Sequence, residues 1–194
     1  MGSDKHVREW STTRVADVLR WQLRDAWAVI EPNVRGLTDE EYFWEPAPGC
    51  WGVRRRSEAT APLVWGKGEW VVENSWNPPS PPPFTTIGWR LMHGYDCMND
   101  YFFGRAMRTG EQDWNDIEVP GHAADAVALL ADLVARIDGT LREIDDEVLR
   151  SPADSDGDDP RPAWAAATFA FLEATHHCAE IGVLRDLYRL RVAG

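Results

Sequence analysis

The chain has 194 residues, 44% of them hydrophobic and 27% charged, with a formal net charge of −12. Those figures describe an ordinary globular domain, long enough for a sizeable core, and the whole span 1–194 is expected to form one such domain. The acidic balance repels phosphate backbones and disfavours a nucleic-acid partner; the one basic run, Arg54-Arg55-Arg56, is too short to reverse this, although it could form a local anion site.

The polar start MGSDKHVREW lacks the apolar stretch of a signal peptide, and residues 1–10 are expected to be a flexible tail. Residues 12–31 then place Val15, Val18, Leu19, Leu23, Trp27 and Ile30 on one stripe at three- and four-residue steps. That spacing predicts a first helix capped by Ser11 or Thr12 and ended by Pro32. In LTDEEYFW, Thr38 precedes Glu41 by three residues, a capping-box pattern for a short helix. Residues 46–84 are rich in Pro, Gly and Trp and read as a long ordered loop, with short extended pieces at Val53 and at Trp70 to Val72. A second helix is expected from Thr85 or Thr86 to about Gly104, and a third over 121–145. The acidic stretch SPADSDGDDPRP, residues 151–162, reads as a solvated linker: Gly157 and Ala165 stand where a calcium loop would not have them. A fourth helix spans 163–192. The pattern predicts an all-α fold: a four-helix bundle with a long Trp/Pro-rich loop between the first and second bundle helices.

No run approaches the roughly 18 apolar residues of a membrane span, so no membrane partner is expected. Cys50, Cys97 and Cys178 are odd in number and widely spaced, which argues against a disulfide framework and for a reducing, cytoplasmic setting. The 11 tryptophans point to aromatic-lined clefts as well as core.

The fourth helix carries the densest set of metal-ligand types, Glu173, His176, His177 and Glu180. At about 100° per residue from His177, Glu173 falls near −40°, Glu180 near −60° and His176 near −100°. Phe169, Leu187, Leu172 and Val183 lie on the same side, so all four groups are expected to share an inward apolar arc; Thr175, Gly182, Arg185, Asp186 and Arg189 take the opposite, polar side. Carboxylates buried among Phe, Leu and Ile need a partner or a metal. Glu173 and His177, four residues apart, have the spacing of a chelating pair, and their nitrogen and oxygen donors suit zinc, or nickel or iron. A hydrogen-bonded polar core without metal is the competing reading. A third ligand must come from elsewhere: His6 lies in the tail, His122 near a helix cap, and His93 in mid-helix with Trp89, Cys97 and Asp100 on its side. Cys97 could approach the metal but suits a small core position; Cys178 points away from the ligand face.

FLEATHHCAEIGVLRDLYR (171–189), PAPGCWGVR (46–54) and FTTIGWRLMHGYDCMNDYFFG (84–104) resemble segments of the DinB-like superfamily, especially the branch containing mycothiol-dependent maleylpyruvate isomerase. The resemblance covers most of the chain in order. It implies a metal-binding helical bundle with His93, Glu173 and His177 as ligands, and with His176 and Glu180 beside the metal rather than on it. It also implies a divalent metal that activates a low-molecular-weight thiol of the mycothiol type as cosubstrate, in an S-transferase or related detoxification reaction. The isomerases carry an additional C-terminal domain that this sequence does not include, so maleylpyruvate isomerisation itself is not expected. Trp51, Arg54 and Trp89 are the expected contacts to a small-molecule substrate, with plugging of the bundle mouth as the bland role for Trp51. A non-catalytic metal- or small-ligand-binding bundle is the alternative function, and related bundles often form homodimers.

Overall fold

A computed structural model describes residues 13–109, 113–153 and 161–193. The expected tail 1–10 with His6, the caps Ser11 and Thr12, and most of the acidic linker lie outside the described residues. Four long helices dominate: α1 (Val15–Val34), α3 (Ile87–Asn99), α4 (Ala123–Glu143) and α6 (Ala163–Ala193). Two short helices, α2 (Asp39–Phe43) and α5 (Asp146–Arg150), sit between them. Helix α1 packs against α4 and α6, and α3 packs against the same two, so the four long helices surround one hydrophobic core.

Segment 46–84 departs from the expected loop. It holds a three-stranded antiparallel sheet, β1 (Val53–Arg55), β2 (Leu63–Trp65) and β3 (Trp70–Asn74), in the order β1-β3-β2. The first and third strands coincide with the extended pieces read from sequence; β2 was hidden between proline and glycine. The buried Glu73 carboxylate explains why the segment orders. It accepts from the backbone N–H groups of Gly52, Thr60 and Ala61 and from Arg54 Nε, replacing with side-chain bonds what a three-residue strand cannot supply.

Helix boundaries differ from expectation where the partner is distant in sequence. Helix α1 begins at Val15, and Asp146 caps it by accepting from the N–H groups of Val15 and Ala16 at 2.6 and 3.1 Å. It runs past Pro32 to Val34. The carbonyls of Asn33, Arg35 and Gly36, beyond reach of further helix bonds, accept from the buried Arg185 guanidinium. Thr38 and Glu41 form the expected capping box. Thr86 caps α3 by accepting from Trp89 N–H at 3.2 Å, and α3 continues as a π-helix over Asp100–Ala106.

The inward face of α6 is rotated from the expected arc. Ala166, Ala170, Phe171, Ala174, His177, Cys178, Ile181, Leu184 and Arg185 are buried, a band from about −20° to about 120° around His177. Leu172, Val183 and Leu187, assigned inward by sequence, are 46–62% exposed, and Arg185, assigned to the polar side, is buried. Small residues cause the rotation: the alanine face lets α3 and α1 close onto α6. Where α6 meets the end of α1, a Cβ on Gly182 would stand 2.5 Å from Asn33 Oδ1. Among the described residues, no helix is long and apolar enough to cross a membrane.

Candidate metal centre

Because the buried band stops near His177, the four polar groups form a rim rather than a buried set. His177 is 11% exposed at the side chain, Glu173 23%, Glu180 36% and His176 57%. Helix α3 faces this rim and presents His93, whose ring centroid lies 4.7 Å from that of His177 in an edge arrangement. The Trp89 indole stacks on His93 at 4.6 Å and donates its Nε1–H to the Glu73 carbonyl at 2.7 Å, tying the His93 ring to the sheet.

Both ring nitrogens of His177 face carboxylate oxygens. Its Nδ1 lies 3.2 Å from Glu180 Oε2, and its Nε2 lies 3.6 Å from Glu173 Oε2. Burial, reinforced by the positive charge of Arg90, pushes the His93 pKa down to about 4. Burial also pushes His177 to about 3, with His93, His176 and Arg90 acting the same way. Two carboxylates nearby would favour an imidazolium, but burial outweighs them, so both rings are neutral at neutral pH. In the neutral tautomer that donates Nδ1–H to Glu180, Nε2 carries a lone pair aimed toward a carboxylate oxygen. Two acceptors 3.6 Å apart repel unless a cation lies between them. That separation is close to the roughly 3.3 Å edge of a tetrahedron built on zinc bonds of about 2.0–2.1 Å. The donor set therefore fits a divalent ion.

Glu173, His176 and His177 can each direct one ligand atom so that all lie within 4.8 Å of one another. His176, expected beside the metal, thus stands in the ligand-atom cluster, although it is exposed and its Nε2 also lies 3.6 Å from Glu180 Oε1. His93 faces the cluster from α3, with Cys97 Sγ 3.7 Å from its Nε2. Burial first, then the charges of Asp96, Glu173 and Asp100, pushes the Cys97 thiol up to about 12. Cys178 is fully buried and likewise pushed to about 12 by burial.

The three expected substrate contacts are not brought together alike. Trp89 walls the site. Trp51 exchanges two backbone hydrogen bonds with the start of α3, to Phe84 and Thr86, each 2.9 Å. Arg54 spends its donors inside the chain, on Glu73 at 2.6 Å, Glu45 at 2.8 Å and the Cys50 carbonyl at 2.8 Å. Sequence reasoning missed Arg90, one turn before His93, which forms an ion pair with Glu180. An arginine between Ile87 and Leu91 on an otherwise inward helix face was the available signal.

The architecture is mostly helical, and α6 carries a group, Glu173, His176 and His177, that could hold a divalent metal, with His93 facing it from α3. A family model described as the DinB superfamily matches residues 22–181, and the chain belongs to that superfamily. Comparison with curated proteins and with solved structures gave no match.

Proposed function

We propose that the chain is a divalent-metal-dependent enzyme, a single four-helix bundle domain of the DinB-like type that uses a zinc ion to transfer a low-molecular-weight thiol of the mycothiol class to an electrophile. The observation that carries this is the pair of facing acceptors, His177 Nε2 and Glu173 Oε2, 3.6 Å apart beside His93. In this reading His93, Glu173 and His177 hold the ion, Glu180 orients His177 through Nδ1, and His176 closes the outer side. The ion, when bound, supplies a positive charge that lowers the pKa of a thiol presented to it. The chain's own residues set what approaches. The stack of Trp89 on His93 fixes that ring and offers a flat apolar wall to a substrate. Burial pushes the thiols of Cys97 and Cys178 up to about 12 in the metal-free chain, which favours the cosubstrate as the source of the reacting sulfur. Trp51, bonded through its backbone to Phe84 and Thr86 just before α3, would frame the entry. Conjugation of a thiol to monochlorobimane that disappears with chelator and returns with zinc is the expected result. Stoichiometric zinc with no turnover across a panel of thiols would sink the transferase reading.

One observation favours the alternative, a non-catalytic metal- or small-ligand-binding bundle: the Arg54 guanidinium is committed to Glu45, Glu73 and Cys50 and so serves the sheet. We also propose a homodimer. Leu172, Val183, Leu187 and Leu190 on α6 are 46–73% exposed, and Val18 and Val29 on α1 are 43–46% exposed, so two adjoining helices present exposed apolar surface. Sedimentation equilibrium should give twice the chain mass, falling to one chain mass for Leu187→Glu; a wild-type monomer would remove the dimer.

A further inference from the structure

Trp76 and Trp114 form an aromatic pair that the metal cluster does not use, with ring centroids 4.9 Å apart and planes tilted by 35°. Trp76 is 77% exposed, the most of any large apolar side chain among the described residues, whereas Trp114 packs against the core. Both are anchored to the sheet. Trp76 follows β3 by two residues, in a turn where Asn77 N–H donates to Ser75 Oγ at 3.1 Å. Trp114 opens a single 3-10 turn, Trp114–Asp116, and its carbonyl accepts from Gly66 N–H, just after β2, at 3.1 Å. With Asp113 and Asn115 the two indoles line an open recess of about 480 Å³, a size that suits a small molecule. Asp113 caps the turn through Oδ1, which accepts from Asn115 N–H and Nδ2–H at 2.8 and 3.0 Å. Its Oδ2 and the Asn115 side-chain oxygen accept no hydrogen bond among the described residues. The stretch DWNDIE, residues 113–118, carries three acidic side chains and no basic one, in a chain of net charge −12.

We propose that this recess is a second binding site, and that it takes the guanidinium group of a small organic cation. Three features narrow the class. The acidic surroundings select a cation. The two open acceptors call for a ligand with N–H donors, and the flat indole faces favour a planar group. Guanidinium meets all three conditions: it is planar, always charged and donor-only, and it stacks on an aromatic face while its edge donates to a carboxylate. A quaternary ammonium brings charge without donors, and a sugar brings donors without charge. The exposed Trp76 indole carries the stack. Asp113 receives the N–H groups on Oδ2 and keeps the Oδ1 bonds that cap the turn. The site does not depend on the metal.

Butylguanidinium is the probe, titrated by ligand-observed NMR into full-length protein, zinc-loaded and chelator-treated in parallel. Butylurea, its uncharged isostere, tetramethylammonium and methyl glucoside are the comparison arms. Wild type should bind butylguanidinium saturably, equally in both metal states, and about threefold or more tighter than each comparison ligand. High salt should weaken it, because an exposed ion pair is screened. Asp113→Asn removes the charge but keeps an oxygen that can cap the turn. It should weaken butylguanidinium by about threefold or more and leave butylurea unchanged. Trp76→Ala, at an exposed position, should weaken both ligands, butylguanidinium by about threefold or more. A variant that merely loosened the fold would not separate the two ligands in this way. No saturable binding by wild type, butylurea as tight as butylguanidinium, tighter binding of tetramethylammonium or methyl glucoside, or unchanged affinity in either variant would each overturn the proposal.

Discussion

Burial keeps His93 and His177, two of the three proposed ligands, neutral, and neutrality has a measurable consequence. Each imidazole has an ordinary value of 6.5, and the folded chain lowers them to about 4 and about 3. Below pH 6.5 the unfolded chain takes up protons that the folded chain refuses, so unfolding is favoured progressively as pH falls. The stability of the metal-free protein should therefore be full above pH 6.5 and decline toward about 3. Thermal melts of chelator-treated protein across that range should show the decline, and a His93→Gln/His177→Gln double variant should show a shallower one. Equal slopes would mean that the rings are not buried neutral. The ligand types and the four-residue step of Glu173 and His177 are readable from sequence. The exposure of His176 is not, because it depends on how α6 is turned toward α3 and α1, and that follows the face on which α6 itself carries alanine.

At the scale of elements, long-range side chains finish what local sequence begins. The Thr38–Glu41 box is readable from spacing alone, and so is the Thr86 cap. Nothing local to α1 announces Asp146 at its start or Arg185 at its end, more than 100 residues away in each case. Arg185 holds Glu41 through two bonds of 2.9 and 3.0 Å as well as three backbone carbonyls. Burial alone would raise the Glu41 pKa, but the bonds and charge of Arg185 outweigh it and hold the carboxyl below its ordinary value. Replacing one partner of so enclosed a pair strands the other, so Arg185→Met should cost about 3–5 kcal/mol in urea unfolding. Asp146→Ala, which removes only a partly exposed cap, should cost about 1 kcal/mol. Similar small losses for both would mean that Arg185 does not lock α1 and α2 to α6. The β-sheet was half visible: valine-rich β3 announced itself, but the pairing depends on the burial of one glutamate, Glu73, which sequence marks as an ordinary surface residue.

For the whole molecule, the mostly helical class and the family follow from sequence, and the four long helices lie close to where periodicity places them. What the fold adds is the meeting of α3 and α6, which sets His93 and Arg90 against Glu173, His177 and Glu180. A ligand that binds only the folded state raises stability by mass action, about 2.7 kcal/mol at a hundred times its Kd. Zinc in that excess should raise the melting temperature of a chain this size by roughly 5–10 °C, and chelator should reverse it. The most direct test is the zinc content of untagged protein, purified without a metal column, for wild type and for His93→Ala, Glu173→Ala, His177→Ala and His176→Ala. Wild type should hold about one zinc per chain. The first three variants should lose most of it, and His176→Ala should keep most of it. Wild type free of metal, or full occupancy retained in His93→Ala and His177→Ala, would contradict the account.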